Sequence, residues 1–433
     1  MLFSPDQDKQ SRGASPTVEP MKIVHVLRKY NPREWGGIES HLHELSKYLL
    51  SEGHQVVLYA PKLRGAARRQ DDPLQSLGVT VRRYPAFLPA TGVNREGREN
   101  LYRQGGNLFS LTLAPRLLAE PNVSVIHSHA LNRIGGIARL AAKLKSVPFV
   151  VSIHGGYTDL APEIAASMTA RHHGGKDWGK PLGWLVGSRH VVDAAQRVFV
   201  FNRVEQQRLA GTLGRKQVTL LPHAARNIDA PRNAEAVLQR DFPQLSGHPY
   251  ILCVSRIHEA KQQHLLVSAF AGLAAKDPKL KLVLVGSATD RQYAGQLTRA
   301  IEARALTHRV LLTGNLPNHG EQLAALYRKA SVFVLPSRHE PLGIVILEAW
   351  AAGLPVVATR TSGALELIQH GETGLLTDQN ATAITAAVRR LLSDSALRTR
   401  IITQARRYVD THHSRSAMGK QYLESLQPLI ANA

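Results

Sequence analysis

The sequence is short of cysteine, of acid and of uninterrupted apolar runs. Cys253 is the one cysteine in 433 residues. No intramolecular disulfide can therefore form, and the chain reads as a protein of a reducing, cytoplasmic compartment. The longest apolar stretch, Gly343 to Ala358, is broken by Glu348 and falls short of the ~20 residues that cross a bilayer. The opening MLFSPDQDKQSRGASPTVEP has no hydrophobic segment of the kind that heads a secretory signal; its Ser, Pro, Gln and Asp content predicts a disordered tail over 1–20. No HExxH, CxxC or aspartate-rich cluster occurs, so the expectation is no metal and no resident cofactor.

Acid is scarce: 33 Asp and Glu against 54 Lys and Arg give a net charge of +21. Such an excess calls for an anionic partner: nucleic acid, an acidic membrane surface or a phosphorylated substrate. Between Met21 and Arg226 there are 29 basic and 14 acidic residues, against 23 and 16 from Asn227 onward. Most of the positive field thus belongs to the first half, especially around KLRGAARR and VRRYPAF. Aromatics are only 6%, and no RNP, zinc-finger or helix-turn-helix signature is present, which disfavours nucleic acid.

What is there is rhythm. Apolar strand-like runs (MKIVHVL, QVVLYA, SVIHSH, PFVVSIH, RVFVFN, QVTLLP) alternate with helix-length segments. Runs that are continuous rather than alternating belong to strands covered on both faces, hence to a parallel sheet between helices. An irregular connector from about Ala225 to Pro249 interrupts the series. It restarts with YILCVSR, KLVLVGS, RVLLTGN, SVFVLPS and LPVVAT, and ends in helix-patterned residues. The fold expected is α/β: two Rossmann-like parallel-sheet lobes with a cleft between them. The domains expected are 21–225, 226–410, and a closing helix over 411–433.

Four passages carry candidate chemistry. In LPSRHEPLGIVILEAWAAGLPVVAT a strand ends, Glu340 sits in the loop, and a helix starting near Gly343 carries Glu348. The free N–H groups at Leu342, Gly343 and Ile344 make an anion site, and Gly343 admits a ligand close to the backbone. In ILCVSRIHEAKQQHLLVSAF, Arg256 and Lys261 flank a strand end and suit a diphosphate, one as a planar fork and one as a point charge. In NPREWGGIESHLHEL, Gly36 and Gly37 allow close approach of a phosphate or sugar, but without the spacing of a dinucleotide fingerprint. In PFVVSIHGGYTD, His154 directly follows a strand and can bond a sugar hydroxyl or move a proton; His127 and His129 are weaker cases of the same kind. Read singly, each passage is at least as well explained by a chance carboxylate pair, a plain turn, a solvated loop or a structural histidine.

Together they resemble the retaining GT-B glycosyltransferases of family 4, over about Met21 to Leu376. Glu340 and Glu348 match that family's E-x7-E element, Arg256 and Lys261 its donor-diphosphate pair, WGGIESHLHELSKYL its glycine loop, and His154 its active-site histidine. The resemblance implies that Glu340 faces the transferred sugar and Glu348 holds the nucleotide ribose. The Leu342–Ile344 backbone would meet sugar and phosphate, the strand around Leu312 (RVLLTG) the nucleobase, and the last helices would cross back to the first lobe. It further implies metal-independent transfer of a hexose from a UDP- or GDP-sugar to a saccharide or lipid-linked acceptor, with retention, in polysaccharide or glycolipid synthesis at the cytoplasmic face of a membrane. The alternatives are a sugar-nucleotide epimerase or hydrolase on the same fold, or a basic nucleic-acid-binding protein. Three places depart from the family pattern: LPHAARN at the end of the first lobe, Gln262 after Lys261, and Ser362-Gly363 before the second-lobe ELI.

Overall fold

The computed structural model describes residues 19–32, 35–63, 72–155, 176–214, 217–226, 228, 233–318 and 320–431. The tail expected over 1–20 and most of KLRGAARR lie outside them.

In chain order the first half supplies β1 (Lys22–Val26), β2 (Gln55–Pro61), β3 (Thr80–Tyr84), β4 (Ala90–Thr91), β5 (Val125–Ser128), β6 (Phe149–Ile153), β7 (Lys176–Asp177), β8 (Arg197–Val200) and β9 (Val218–Leu220). Seven of these form a parallel sheet in the order β3-β2-β1-β5-β6-β8-β9, while β4 and β7 pair antiparallel as a small outlying ladder. The second half supplies β10 (Tyr250–Val254), β11 (Lys281–Val285), β12 (Val310–Gly314), β13 (Val332–Leu335), β14 (Val356–Thr359) and β15 (Leu375–Thr377), a parallel sheet ordered β12-β11-β10-β13-β14-β15. Strands such as Phe149–Ile153 and Val332–Leu335 are buried at every residue. Their continuous apolar runs therefore meet helices on both faces, as a parallel sheet requires.

In both sheets the order doubles back beside the first strand: β1 lies between β2 and β5, and β10 between β11 and β13. Helices leave opposite faces at such a point, which opens a crevice beyond the carboxyl ends of the strands. The first crevice is capped by the helix Gly37–Ser51, the second by the loop from Pro336 to Gly343.

The chain then returns. The helix Ser395–His412 packs on the second lobe through Leu397, Ile401, Ala405 and Val409. The crossing is at His413, whose Nδ1 lies 2.7 Å from the His223 carbonyl and whose own carbonyl accepts the Ala225 N–H at 2.8 Å. The final helix, Arg415–Ala431, lies on the first lobe, with Met418, Tyr422 and Leu426 in its core. Gly419 is required there: a Cβ would stand 1.9 Å from the Tyr48 ring. Arg415 closes the contact on Glu44 at 2.8 Å. Among the described residues no helix is long and apolar enough to cross a membrane.

Candidate active site

Lys261 ends a short 3-10 turn, Glu259–Lys261, after β10, and Glu340 stands in the loop after β13; their strands are neighbours. The Arg338 N–H donates to the Ala260 carbonyl at 2.9 Å and ties the two loops together. Lys261 Nζ then reaches Glu340 Oε2 at 2.6 Å, both side chains being largely buried. Burial pushes the Glu340 carboxyl up, but the Lys261 ammonium and the Gly343 N–H outweigh it and hold the group below its usual range. Glu340 is therefore a carboxylate at neutral pH and unsuited to act as a general acid, which needs a raised pKa.

Gly343 caps the helix Ile344–Ala351 with φ of 65°, a conformation that glycine adopts without strain. The loop before it is clamped from behind by Gly363, whose N–H donates to the Glu340 carbonyl at 2.7 Å. A Cβ on Gly363 would stand 2.6 Å from that same oxygen. On the other side the loop meets the first lobe. A Cβ on Gly37 would lie 3.2 Å from Leu342 and 3.3 Å from Ile344, and one on Gly155 only 2.1 Å from Pro341. Gly36, Gly37, Lys261, Glu340, Leu342, Gly343 and Ile344 thus gather at one seam, joined further by Asn318 Nδ2 donating to Ser40 Oγ at 3.3 Å.

Arg256 is exposed at the end of β10, and its charge acts across the seam on Glu39. Glu39 was not singled out from the sequence. It is 2% exposed, accepts the Gly36 N–H at 3.0 Å, and leaves its Oε1 without a hydrogen-bond partner. Burial raises its pKa against the pull of Lys29 and Arg256. Its signal was the capping-box spacing, an acid three residues after the N-cap.

Three further predicted residues lie outside the seam cluster or already have partners within the protein. Glu348 is 3% exposed; its Oε2 accepts the Tyr327 hydroxyl at 2.9 Å and its Oε1 lies 3.2 Å from Arg226 Nε. It is an internal carboxyl group paired with a connector arginine. Leu312 is 42% exposed in the middle of the edge strand β12, two strands from β10, after which Lys261 stands.

His154 adjoins the seam, but its Nε2 lies 2.8 Å from His129 Nδ1, and His129 Nε2 lies 3.0 Å from His25 Nδ1. Three imidazoles are therefore hydrogen-bonded in series, with His127, His41 and His223 packed around them. Burial, reinforced by neighbouring rings, drives His154 and His129 well below the ordinary histidine range and holds His25 and His41 at about 3. All are neutral at physiological pH. His25, His127 and His129 have ring nitrogens within 4.8 Å of one another, close enough to share a cation. Those of His127 already meet Tyr422 and Ser152, each at 2.8 Å, so hydrogen bonds supply what a metal would.

The basic clusters read from the sequence are partly consumed inside the lobe. Arg82 pairs with Glu120 at 2.6 Å, and Arg83 with Asp72 at 3.4 Å and with the Tyr30 carbonyl. Cys253 is buried in the second core, its thiol pushed up to about 12 by desolvation, and is unreactive there.

Residues 36–224 match the model of the glycosyl transferase 4-like domain, and residues 238–408 that of glycosyl transferases group 1. The chain is 30% identical over 359 residues to the alpha-D-kanosaminyltransferase of Streptomyces kanamyceticus, covering 80% of this chain and 88% of that one. It is 28% identical over 384 residues to the GDP-mannose-dependent alpha-(1-6)-phosphatidylinositol monomannoside mannosyltransferase of Mycolicibacterium smegmatis, covering 86% and 89%. Its fold matches that of Anabaena HepE in complex with UDP and glucose with a TM-score of 0.72 at 19% identity, over 94% of this chain and all of that one.

Proposed function

Since the chain belongs to the glycosyl transferases group 1 family and has the GT-B fold, we propose that it moves a hexose from a UDP- or GDP-sugar to a saccharide or lipid-linked acceptor, with retention and without a metal. The observation that carries this reading is the Lys261–Glu340–Gly343 cluster facing Gly37 across the seam.

In this reading the diphosphate lies between Arg256, Lys261 and the start of the helix Ile344–Ala351. Lys261 has three N–H donors, so it can keep Glu340 and still meet a phosphate oxygen. The C1–O bond to the diphosphate breaks as the acceptor oxygen bonds C1 from the same face. The acceptor's proton passes to the departing phosphate oxygen. Charge grows on the leaving group where cations and amides already point, an arrangement worth about 2.7–4 kcal/mol per donor at comparable oxyanion sites. Glu340, ionised and on the sugar side, balances the positive charge that develops at C1. Glu348 holds the ribose from below, and Leu312 lies toward the base.

The reading is tested by thermal shift with UDP-, GDP- and ADP-hexoses, since a ligand at 100 times its Kd stabilises by about 2.7 kcal/mol. The anomeric configuration of the product is then determined by NMR. Stabilisation by one nucleotide series and an α-linked product from an α-linked donor are expected. No stabilisation by any of them, or inversion at C1, overturns it.

A further inference from the structure

Just beyond β1 stands a partly buried cation whose charge the described residues leave unpaired. Arg28 lies in the loop after Val26, and its Nη1 donates to the Gly105 carbonyl at 2.8 Å. Among the described residues that is its one hydrogen bond, and no carboxylate stands beside it. Burial pulls its pKa down, and no charge opposes the pull. Two arginines bounding the same region are spent on acids, Arg83 on Asp72 and Arg133 on Asp177. A desolvated cation left without a partner costs stability, so an anion from outside the chain is the partner it lacks.

The position is fixed from every side. The Leu27 N–H donates to the Tyr59 carbonyl at 2.9 Å, and the Tyr84 hydroxyl to the Leu27 carbonyl at 2.6 Å. Arg83 donates to the Tyr30 carbonyl at 2.8 Å, and the Tyr30 hydroxyl bonds Asp72. Gly105 closes the helix Arg95–Gln104 with φ of 69°, and a Cβ there would stand 3.2 Å from the side chains of Arg28 and Lys29. Two residues on, Asn107 Oδ1 accepts the Arg133 N–H at 3.4 Å, and the Asn107 carbonyl accepts Arg133 Nη1 at 2.7 Å. The loop Gly105–Asn107 thus joins Arg28 to the start of the helix Arg133–Lys145, which follows β5, the strand beside β1.

With Nη1 engaged, Nε and Nη2 remain, and these form the side-on edge of the guanidinium. Two parallel N–H groups on one edge match two oxygens of a carboxylate or a phosphate. Lys29, the next residue, also has no hydrogen-bond or ion-pair partner among the described residues, and its charge acts on Glu39 at the seam. In the proposed reading the donor diphosphate already has Arg256 and Lys261 of the second lobe, which leaves Arg28 to the other substrate.

We infer that Arg28 is an oxyanion subsite for the acceptor, which carries a phosphate or carboxylate group, with Lys29 adding charge beside it. The inference rests on the transferase reading and narrows its acceptor to an anionic one. It also gives the positive first half of the chain a specific use.

The test is isothermal titration of the full chain with glucose 6-phosphate, glucuronate and glucose. One of the charged sugars should bind about tenfold or more tighter than glucose; which one identifies the group as phosphate or carboxylate. Arg28→Gln should erase that difference while leaving the nucleotide-sugar thermal shift at its wild-type value. Arg28→Lys keeps the charge but not the fork, and should weaken the charged sugar roughly threefold or more. Should Arg28→Gln fail to fold, Arg28→Lys decides alone, and unchanged affinity overturns the inference. Equal binding of all three sugars by wild type overturns it, as does a charged-sugar preference that survives Arg28→Gln. Loss of the nucleotide-sugar shift in Arg28→Gln overturns it too, by placing Arg28 on the donor. A preference that depends on Arg28, in a chain that no nucleotide sugar stabilises, would uphold the oxyanion subsite and overturn the transferase reading.

Discussion

The two lobes are built on the same plan and filled differently. At the crevice of the first, strand ends and the capping helix contribute imidazoles: His25 from β1, His127 from β5, His129 and His154 just beyond β5 and β6, and His41 from the helix Gly37–Ser51. At the crevice of the second stand paired charges, Lys261 with Glu340 and Arg226 with Glu348. The rings form a neutral, buried wall behind the crevice, whereas paired charges create a field. In the proposed reading a bound pyrophosphate would meet that field on one side and, on the other, a lobe whose rings add no competing anion. The division of labour between the lobes follows from which residue types line each crevice.

The largest effect expected from this contrast is on stability in acid. His25 and His41 have folded pKa values depressed to about 3, against ~6.5 unfolded. Their neutral forms therefore contribute stability that is complete above pH ~6.5 and is lost as pH falls toward 3. At pH 5 the loss is about 2 kcal/mol for each. Hydrogen exchange at pH 7 and pH 5 should show first-lobe amides losing protection more than second-lobe amides; equal losses would erase the contrast.

The charged side is tested by Arg256→Ala, expected to lower turnover by about 10²–10³, or 2.7–4 kcal/mol. Turnover at wild-type level, at saturating and subsaturating donor, would remove Arg256 from the site. Gly155→Ala probes the contact between the lobes. With φ of 88° and Pro341 only 2.1 Å from the new Cβ, about 1–3 kcal/mol of strain would displace the Pro341–Gly343 loop. A rise in donor KM of roughly tenfold is expected, and an unchanged KM would show that the loop does not depend on that contact.

A smaller effect attaches to Glu39→Ala. It removes the partner of the Gly36 N–H and should cost about 1 kcal/mol in denaturant unfolding, as cap losses do. A loss within experimental error would mean that the glycine loop is held by packing alone. Treatment with EDTA should leave turnover unchanged. Loss of activity that magnesium restores would move charge compensation from Arg256 and Lys261 to a cation.

The sheets were legible in the sequence because doubly covered strands must be apolar throughout. So was the nearness of Lys261 and Glu340, since each follows a strand end and strand ends share one side of a sheet. The histidine wall was not. His25 and His127 lie inside apolar runs, and only the register that sets His25 beside His127 turns two scattered rings into a cluster. Arg226 was hidden for a similar reason: it belongs to an irregular connector, and no periodicity brings a connector residue against Glu348. The charge count located the positive half correctly but not its free cations, because Arg82 and Arg83 are neutralised by carboxylates distant in sequence.

The backbone passes between the lobes twice, near Ala225 and again at His413, and a hydrogen bond between those residues holds the two passages side by side. Two parallel tethers at one spot act like a door hinge with two pins. They permit one half to swing toward the other while resisting twist about the long axis. In the proposed reading, a swing of one lobe that admits a donor would turn about this double crossing and bring the Leu342–Ile344 loop back against Gly37.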